Sequence, residues 1–308
     1  MVPHLLEKVA SAVVPEVGTV ALAYSGGLDS TLCLVLLREK YKARRIIPIT
    51  VDVGQGAEEL EASRARARLL DIEPLEVDVR DEFADQWLRR AIMANSDYLG
   101  YPVATSMTRQ LIAQKVAQKA LELGCDTLAE GSSGKGNDQY RMHNVFTLFA
   151  PGLQILVPVR DLDLTRLEEQ ELCAHYGIAV DEPIPGGDDK TMWCRSIASG
   201  GIGLDTELPE RIWLWYTPPQ RAADETVTVS LTFEGGVPVA LDGRPLPLVD
   251  LIMTLNVTGG RCGIGKIDIL EDGIMDLKSR EVYEAPAATI ILKAHRDLEQ
   301  LCLTKEEI

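Results

Sequence analysis

The run Ser25-Gly26-Gly27-Leu28-Asp29-Ser30-Thr31 holds the residue types that a phosphate group needs. Two glycines let the backbone pass close to phosphate oxygens, and Ser25, Ser30 and Thr31 offer hydroxyl donors. An apolar stretch precedes the run and a helical pattern follows it. Free N–H groups and the partial positive charge of a helix N-terminus therefore serve the same place. Asp29 can orient a magnesium ion or cap the helix, and the string also suits a plain glycine turn closed by an Asp or Ser cap. Its spacing is not the Gly-x-x-x-x-Gly-Lys-Ser/Thr of a Walker A loop. A second run, Gly131-Ser132-Ser133-Gly134-Lys135-Gly136-Asn137-Asp138-Gln139-Tyr140-Arg141, also follows an apolar stretch. Its three glycines permit tight backbone approach. Lys135 and Arg141 can meet anions, and Asn137 and Asp138 can hold an ammonium or an amide. Read alone, it is equally a polar loop with a helix cap.

The elements that must position these runs alternate along the first half. Short apolar stretches at 17–24, 46–53, 75–79, 126–130 and 154–157 predict strands. Helical patterns lie between them at 30–41, 57–71, from about 80 to 97, and 106–123. Strands separated by helices pair in parallel through crossovers. The expected fold class is thus α/β with a doubly wound parallel sheet, and both glycine runs fall at carboxyl ends of strands, where such sheets bind ligands. Residues 181–189 carry two prolines, two glycines and a cluster of acids, which is linker chemistry. Beyond them come a strand at 227–233, a hairpin through 234–241, a helix at 248–258, a strand at 266–270 and a helix at 286–302. The expected division is residues 1–180 and residues 181–308, the second part being α+β. The start, residues 1–8, reads as an amphipathic helix and not as a signal peptide.

Composition removes several classes of function. The formal net charge of −16 over 308 residues repels nucleic-acid phosphates, so no nucleic-acid partner is expected. No apolar run approaches the roughly 18 residues that span a bilayer. The six cysteines, at 33, 125, 173, 194, 262 and 302, form no Cys-x-x-Cys pair. They read as small hydrophobes in a reducing compartment, and a cytoplasmic location is expected. Four histidines without ligand spacing predict no dedicated metal site.

The first run resembles the phosphate loop of the N-type ATP pyrophosphatases. Ordered blocks along nearly the whole chain resemble the argininosuccinate synthase family. They are Ala23 to Asp29, Val53-Gly54-Gln55, Thr105-Ser106-Met107-Thr108-Arg109, Gly134-Lys135-Gly136-Asn137-Asp138-Gln139, Arg195-Ser196-Ile197, Gly265-Lys266-Ile267-Asp268-Ile269-Leu270-Glu271, Lys278-Ser279-Arg280 and Tyr283-Glu284. The Gly-Lys-Gly-Asn-Asp-Gln string is specific to that family among the ATP pyrophosphatases. The resemblance implies an adenine nucleotide alpha hydrolase-like ATP-binding domain followed by a synthetase domain. It implies ATP as substrate, Mg2+ carried with ATP or pyrophosphate, and citrulline and aspartate as the other substrates. Ala23, Tyr24, Ser25, Gly26, Gly27, Leu28, Asp29, Ser30, Thr31, Val51 and Gly131 match ATP-contacting positions. Ser133, Asn137 and Asp138 match the aspartate site. Tyr101, Ser106, Asn137, Arg141, Ser196, Glu271 and Tyr283 match the citrulline site. Ser25, Asp29 and Lys135 are the expected catalytic residues.

The sequence also departs from the family pattern. Gly187 stands where a citrulline-contacting serine is usual, Glu130 where a neutral residue or histidine is common, and Asp272-Gly273 replaces an Asn-Arg pair. The chain stops at Ile308, where family members continue into an arm that embraces neighbouring subunits. A short form with a C-terminally truncated synthetase domain is therefore expected, as a homo-oligomer, dimer or tetramer. Two alternatives accompany the synthase reading: a related ligase that adenylates another ureido or carboxylate substrate, and a non-catalytic nucleotide-binding paralogue. RNA-thiolating and lysidine-forming relatives share only the first loop and would want a basic surface.

Overall fold

A computed structural model describes residues 2–133, 138–178, 188–222, 224, 226–272 and 278–307, and the backbone alone at residues 188 and 198–201. The chain divides into two units, one made of Met1–Asp52, Gly56–Asp78 and Thr108–Asp181, the other of Val53–Gln55, Val79–Met107 and Glu182–Ile308.

The first unit is built on five parallel strands: β1 (Thr19–Ala23), β2 (Arg45–Asp52), β3 (Leu75–Asp78), β4 (Thr127–Ala129) and β5 (Gln154–Leu156). Their order is β3-β2-β1-β4-β5, all paired in parallel. Parallel sheets are covered on both faces, and β1 shows it: Val20, Ala21 and Leu22 are all buried, although their side chains alternate between faces. The chain builds outward from β1 through β2 to β3, then returns to place β4 on the other side of β1. The order reverses between β1 and β4, which makes their carboxyl ends the binding edge of a doubly wound sheet. The helix Leu28–Glu39 after β1 is apolar almost all round, with Leu28 and every residue from Ser30 to Leu37 buried. Such a helix belongs inside, and it starts two residues earlier than the pattern suggested. The N-terminal helix Val2–Ser11 buries Leu5 and Val9 in the same core as Leu32, Leu36 and Leu172. Lys8 ties it to the helix Arg166–His175 through Glu168 at 2.9 Å.

The second unit carries two antiparallel sheets. One has the order β11-β12-β7-β6, from β6 (Asp188–Lys190), β7 (Arg195–Ile202), β11 (Lys266–Asp272) and β12 (Lys278–Glu284). The other has the order β10-β9-β8, from β8 (Leu231–Glu234), β9 (Val237–Leu241) and β10 (Arg244–Pro245). The strand expected over 227–233 starts only at Leu231, because partners in β9 begin there. The helix expected to run to about 97 ends at Met93 and includes a π turn over Phe83–Leu88. The helices Leu248–Arg261 and Pro286–Cys302 are joined by Asn256, whose amide donates to Met192 O at 2.8 Å and accepts from Ala287 N at 3.0 Å. Among the described residues no helix is long and apolar enough to cross a membrane.

Candidate functional site

The phosphate-type loop leaves β1 at Ala23 and is pinned from below. Tyr24 is buried and its hydroxyl donates to Ser63 O at 3.1 Å. Gly26 takes φ +79°, and its carbonyl accepts from Arg66 Nη1 at 2.6 Å. A Cβ at Gly26 would lie 2.6 Å from Ser63 Cα, so glycine is required here both for its backbone angle and for the close approach to the helix Ala57–Arg68. Ser25 Oγ accepts from Gly27 N at 3.2 Å and meets Ser30 Oγ at 3.2 Å, which curls the loop round its own hydroxyls. The N-cap of Leu28–Glu39 is Gly27, with no side chain bonded to it. Asp29 therefore does not cap the helix. It pairs instead with Arg166, and with Glu169 from the same helix. Burial, and then the hydrogen bond and charge of Asp29, push the Glu169 carboxyl up to about 9. A carboxylate held at a helix N-terminus beside hydroxyls suits a magnesium ion that arrives with its phosphates, because Mg2+ usually takes only one or two protein carboxylates and keeps substrate and water oxygens. Val51 is buried within β2.

The second glycine run comes off β4, next to β1. A Cβ on Gly131 would lie 3.0 Å from Ser30 N and 3.1 Å from Asp29 C, so the two loops touch at that glycine. Glu130, just before it, is buried. Its Oε2 accepts from Ser132 N at 2.8 Å and Ser132 Oγ at 2.5 Å, while Oε1 has no hydrogen-bond partner among the described residues. Burial pushes the Glu130 carboxyl above the usual range, against the pull of the Ser132 hydrogen bonds. Ser133 is exposed. Asp138 opens the helix Asp138–Phe149 and accepts from Arg109 Nε at 2.9 Å and Arg141 Nη1 at 2.8 Å. Burial alone would raise its carboxyl, but the two guanidiniums outweigh that and hold it below the usual range. Asp138 is thus an ionised carboxylate with acceptor positions left over. Lys135 and Asn137 lie outside the described residues, as does Gly187.

The folded pKa of Glu130 lies above its unfolded value, so the native state binds that proton more tightly. The wild-type chain then loses stability relative to Glu130→Gln as pH rises through the interval between the two values. Unfolding midpoints of both proteins measured from pH 4 to pH 9 are expected to diverge in favour of Glu130→Gln with rising pH, whatever their offset at pH 4. A pH-independent difference would contradict this.

In the second unit the remaining site residues gather on one face of the four-stranded sheet. Tyr283 stands opposite Ser196, which stands opposite Asp189. Directly paired residues share a face, as do residues two apart along a strand, so Ser279 and, across from it, Glu271 join them. Tyr283 Oη donates to Glu271 Oε1 at 2.8 Å, and burial pushes the Tyr283 hydroxyl far up. Tyr101 stacks on Tyr283, with ring centroids 4.0 Å apart and planes at 13°. Its hydroxyl accepts from Ala104 N and Thr105 N, each at 2.9 Å, at the start of the helix Thr105–Glu122, and burial pushes that hydroxyl up to about 12. Ser106 lies in the first turn of the same helix, half-buried. Val53-Gly54-Gln55 also has a local role: Gln55 Oε1 accepts from Val53 N at 2.8 Å, and Gly54, at φ +85°, would set a Cβ 2.6 Å from Met192 Cβ.

Tyr101, Ser196, Glu271 and Tyr283 are thus brought to one sheet face of the second unit, whereas Arg141 belongs to the first unit and is held by Asp138. Arg109, Arg166 and Glu169 received no role from the sequence. Arg109 ends the family-like stretch Thr105-Ser106-Met107-Thr108-Arg109, which is a usable signal. Arg166 and Glu169 lie on an ordinary charged helix whose link to Asp29 spans more than a hundred residues.

Comparison with known proteins agrees across both units. Residues 19–179 match the family model of the arginosuccinate synthase N-terminal HUP domain, and residues 188–308 match that of the arginosuccinate synthase C-terminal domain. An argininosuccinate synthase of Methanopyrus kandleri is 47% identical over 296 residues, covering 94% of this chain and 74% of that protein. Those of Natronomonas pharaonis and Methanococcus maripaludis are 45% and 44% identical, over 94% and 93% of this chain and 71% and 73% of their own lengths. A solved tRNA thiolase from Methanococcus maripaludis matches 58% of the chain, and 65% of its own, at 18% identity and a TM-score of 0.40, too distant to inform the site. With ordered family blocks, the reversed-order sheet bearing two touching glycine loops, and matches to both family domains, the chain belongs to the argininosuccinate synthase family.

Proposed function

We propose that the protein is an ATP-dependent carbon–nitrogen ligase that joins citrulline and aspartate into argininosuccinate through a citrullyl-AMP intermediate. The observation that carries this reading is the contact of two glycine loops at the order-reversal edge of the sheet, in a chain of this family. The ureido oxygen of citrulline attacks the α-phosphate of ATP and pyrophosphate leaves. The amine of aspartate then attacks the ureido carbon and AMP leaves, so the two bonds made replace the two bonds broken.

The chain's own groups serve this sequence by holding and orienting. Ser25, Ser30 and the backbone N–H groups at the start of Leu28–Glu39 donate to phosphate oxygens, and Asp29 orients the magnesium ion that enters with ATP. The positive helix end and the hydroxyls stabilise charge that develops on departing pyrophosphate. Lys135 adds a cation to the same anion. Ser133, Asn137 and Asp138 take aspartate, with Asp138 accepting from its ammonium before the attacking amine is formed. Tyr101, Ser106, Asn137, Arg141, Ser196, Glu271 and Tyr283 take citrulline, Glu271 supplying a carboxylate for its ammonium. In this reading residues 1–180 do the ATP-binding work and residues 181–308 the synthetase work, with Tyr101 and Ser106 lent to the second unit. The working protein is a homo-oligomer in the cytoplasm.

The test is pyrophosphate release from ATP and magnesium with citrulline and aspartate added singly and together. Release that requires citrulline, with argininosuccinate formed only when both are present, is expected. Nucleotide binding without citrulline-dependent release would move the assignment to a ligase for another ureido or carboxylate substrate, or to a non-catalytic paralogue.

A further inference from the structure

The sheet face that carries Asp189, Ser196, Glu271 and Tyr283 holds one more carboxylate, next to Glu271. Glu281 lies between Ser279 and Tyr283 on β12, opposite Ile269 of β11, while Glu271 is opposite Ser279. Glu271 and Glu281 are therefore diagonal neighbours on one face, with Cα atoms about 7–8 Å apart, a span over which two carboxylates can share a small cation. The basic residues of these strands, Lys266, Lys278 and Arg280, alternate onto the opposite face, where Arg280 meets Asp268 at 2.9 Å. Glu281 is only 6% exposed. Its Oε1 accepts from Ser279 Oγ at 2.8 Å, and its Oε2 is buried with no hydrogen-bond partner among the described residues. A buried carboxylate oxygen without a donor is costly, and beside a second carboxylate the missing group should carry positive charge.

We infer that Glu281 is a specificity-determining residue of the amino-acid site, accepting with Glu271 the α-ammonium group of the ureido amino acid. The inference rests on the reaction proposed above. An ammonium has three N–H donors, enough to serve both carboxylates and leave one more. The chemistry also selects between the two amino acids. Aspartate must shed a proton from its amine to attack, and a pair of carboxylates would hold that proton in place. Citrulline reacts through its ureido oxygen and keeps its ammonium charged throughout. The double-carboxylate seat therefore suits citrulline and opposes aspartate. Tyr283 marks the same place: its hydroxyl donates to Glu271 Oε1 at 2.8 Å, and it stands two residues from Glu281 on one face of β12.

The test compares the full chain with Glu281→Gln and Glu281→Ala, using citrulline and 5-ureidopentanoate, which is citrulline without the ammonium. In Glu281→Gln the KM for citrulline is expected to rise about tenfold or more, the size of a lost charge-assisted hydrogen bond. The KM values for ATP and aspartate should stay within a factor of two. The preference for citrulline over 5-ureidopentanoate should shrink by the same factor as the citrulline KM rises. A loosened sheet face would weaken both ureido compounds alike, and that result would overturn the inference, as would a citrulline KM within twofold of wild type. Wild-type protein without citrulline-dependent release would sink the reaction reading and this inference together. An active wild type with an unaltered Glu281→Gln would sink this inference alone.

Discussion

Gly26→Ala is expected to lower pyrophosphate release by roughly 100-fold or more, the loss that follows from about 1 Å of misplacement at a reacting centre. Gly26 sits at φ +79°, where an alanine is strained by about 1–2 kcal/mol. The larger obstacle is steric. The new methyl would stand 2.6 Å from Ser63 Cα and 2.9 Å from Ser63 Cβ, and neither atom is the loose end of a side chain. Ser63 is buried in the helix Ala57–Arg68 and accepts from Tyr24 Oη through its carbonyl, with Arg66 of that helix bonded to Gly26 O. The helix cannot retreat without breaking the contacts that fix the loop, so the loop must lift instead. Lifting it moves the Ser25–Ser30 hydroxyl pair, and the N–H groups at the start of Leu28–Glu39, away from where the proposed reading seats the phosphate. The measurement is citrulline-dependent pyrophosphate release at saturating ATP, beside a melting curve to establish that the variant folds. A folded variant within about threefold of wild-type rate would show that the loop tolerates displacement and that backbone placement at Gly26 is not what the chemistry needs.

The parts of this loop that were legible in the sequence are those whose cause is local. A buried strand declares itself by an unbroken apolar run, as at Val20-Ala21-Leu22, and the central helix by apolar residues on all sides. Glycine in the turn between them signals an unusual backbone, and the φ of +79° at Gly26 supplies the reason. The order of the strands was not readable, because pairing β4 beside β1 depends on which crossover side each helix takes and not on any residue of either strand. The open choice for Asp29, cap or magnesium, is narrowed by partners that no local pattern announces: Arg166 and Glu169, from a helix that looks like any solvated surface helix. In the second half, β12 gives no strand signal because Lys278-Ser279-Arg280-Glu281-Val282-Tyr283-Glu284 alternates polar with polar over most of its length. Its Ser279, Glu281 and Tyr283 face is polar, as the proposed amino-acid site requires, and that removes the hydrophobic signal by which strands are recognised. The Tyr101–Tyr283 stack and the burial of Glu281 were hidden for the same reason.

The other face of that sheet carries the largest expected effect on stability. Arg195 and Glu284 stand opposite each other on β7 and β12, fully buried and ion-paired. Glu284 also gathers the backbone of the neighbouring segment, its Oε1 accepting from Leu214 N at 3.0 Å, Trp215 N at 2.8 Å and Tyr216 N at 2.8 Å. Arg195 Nη1 donates in turn to Ile212 O at 2.7 Å. Breaking a buried pair by removing one partner costs about 3–5 kcal/mol, because the charge left behind is neither solvated nor matched. The two truncations are not equivalent. Arg195→Met leaves the Glu284 carboxylate with its backbone N–H donors, which still neutralise part of its demand. Glu284→Ala leaves a buried guanidinium and also strips acceptors from three consecutive backbone N–H groups. The expected order of unfolding free energies in guanidinium chloride is wild type, then Arg195→Met, then Glu284→Ala, the last falling by about 3–5 kcal/mol. Equal losses would mean that the ion pair, not the backbone gathering, dominates; losses under about 1 kcal/mol in both would mean that water reaches the pair. The consequence for function follows from register. Arg195 and Glu284 are next to Ser196 and Tyr283 on their strands, and directly opposed pairs on one face fix the pairs on the other. The buried pair therefore holds the register that sets Ser196 against Tyr283, so at temperatures where Arg195→Met remains folded its citrulline KM should rise while its ATP KM stays near wild type.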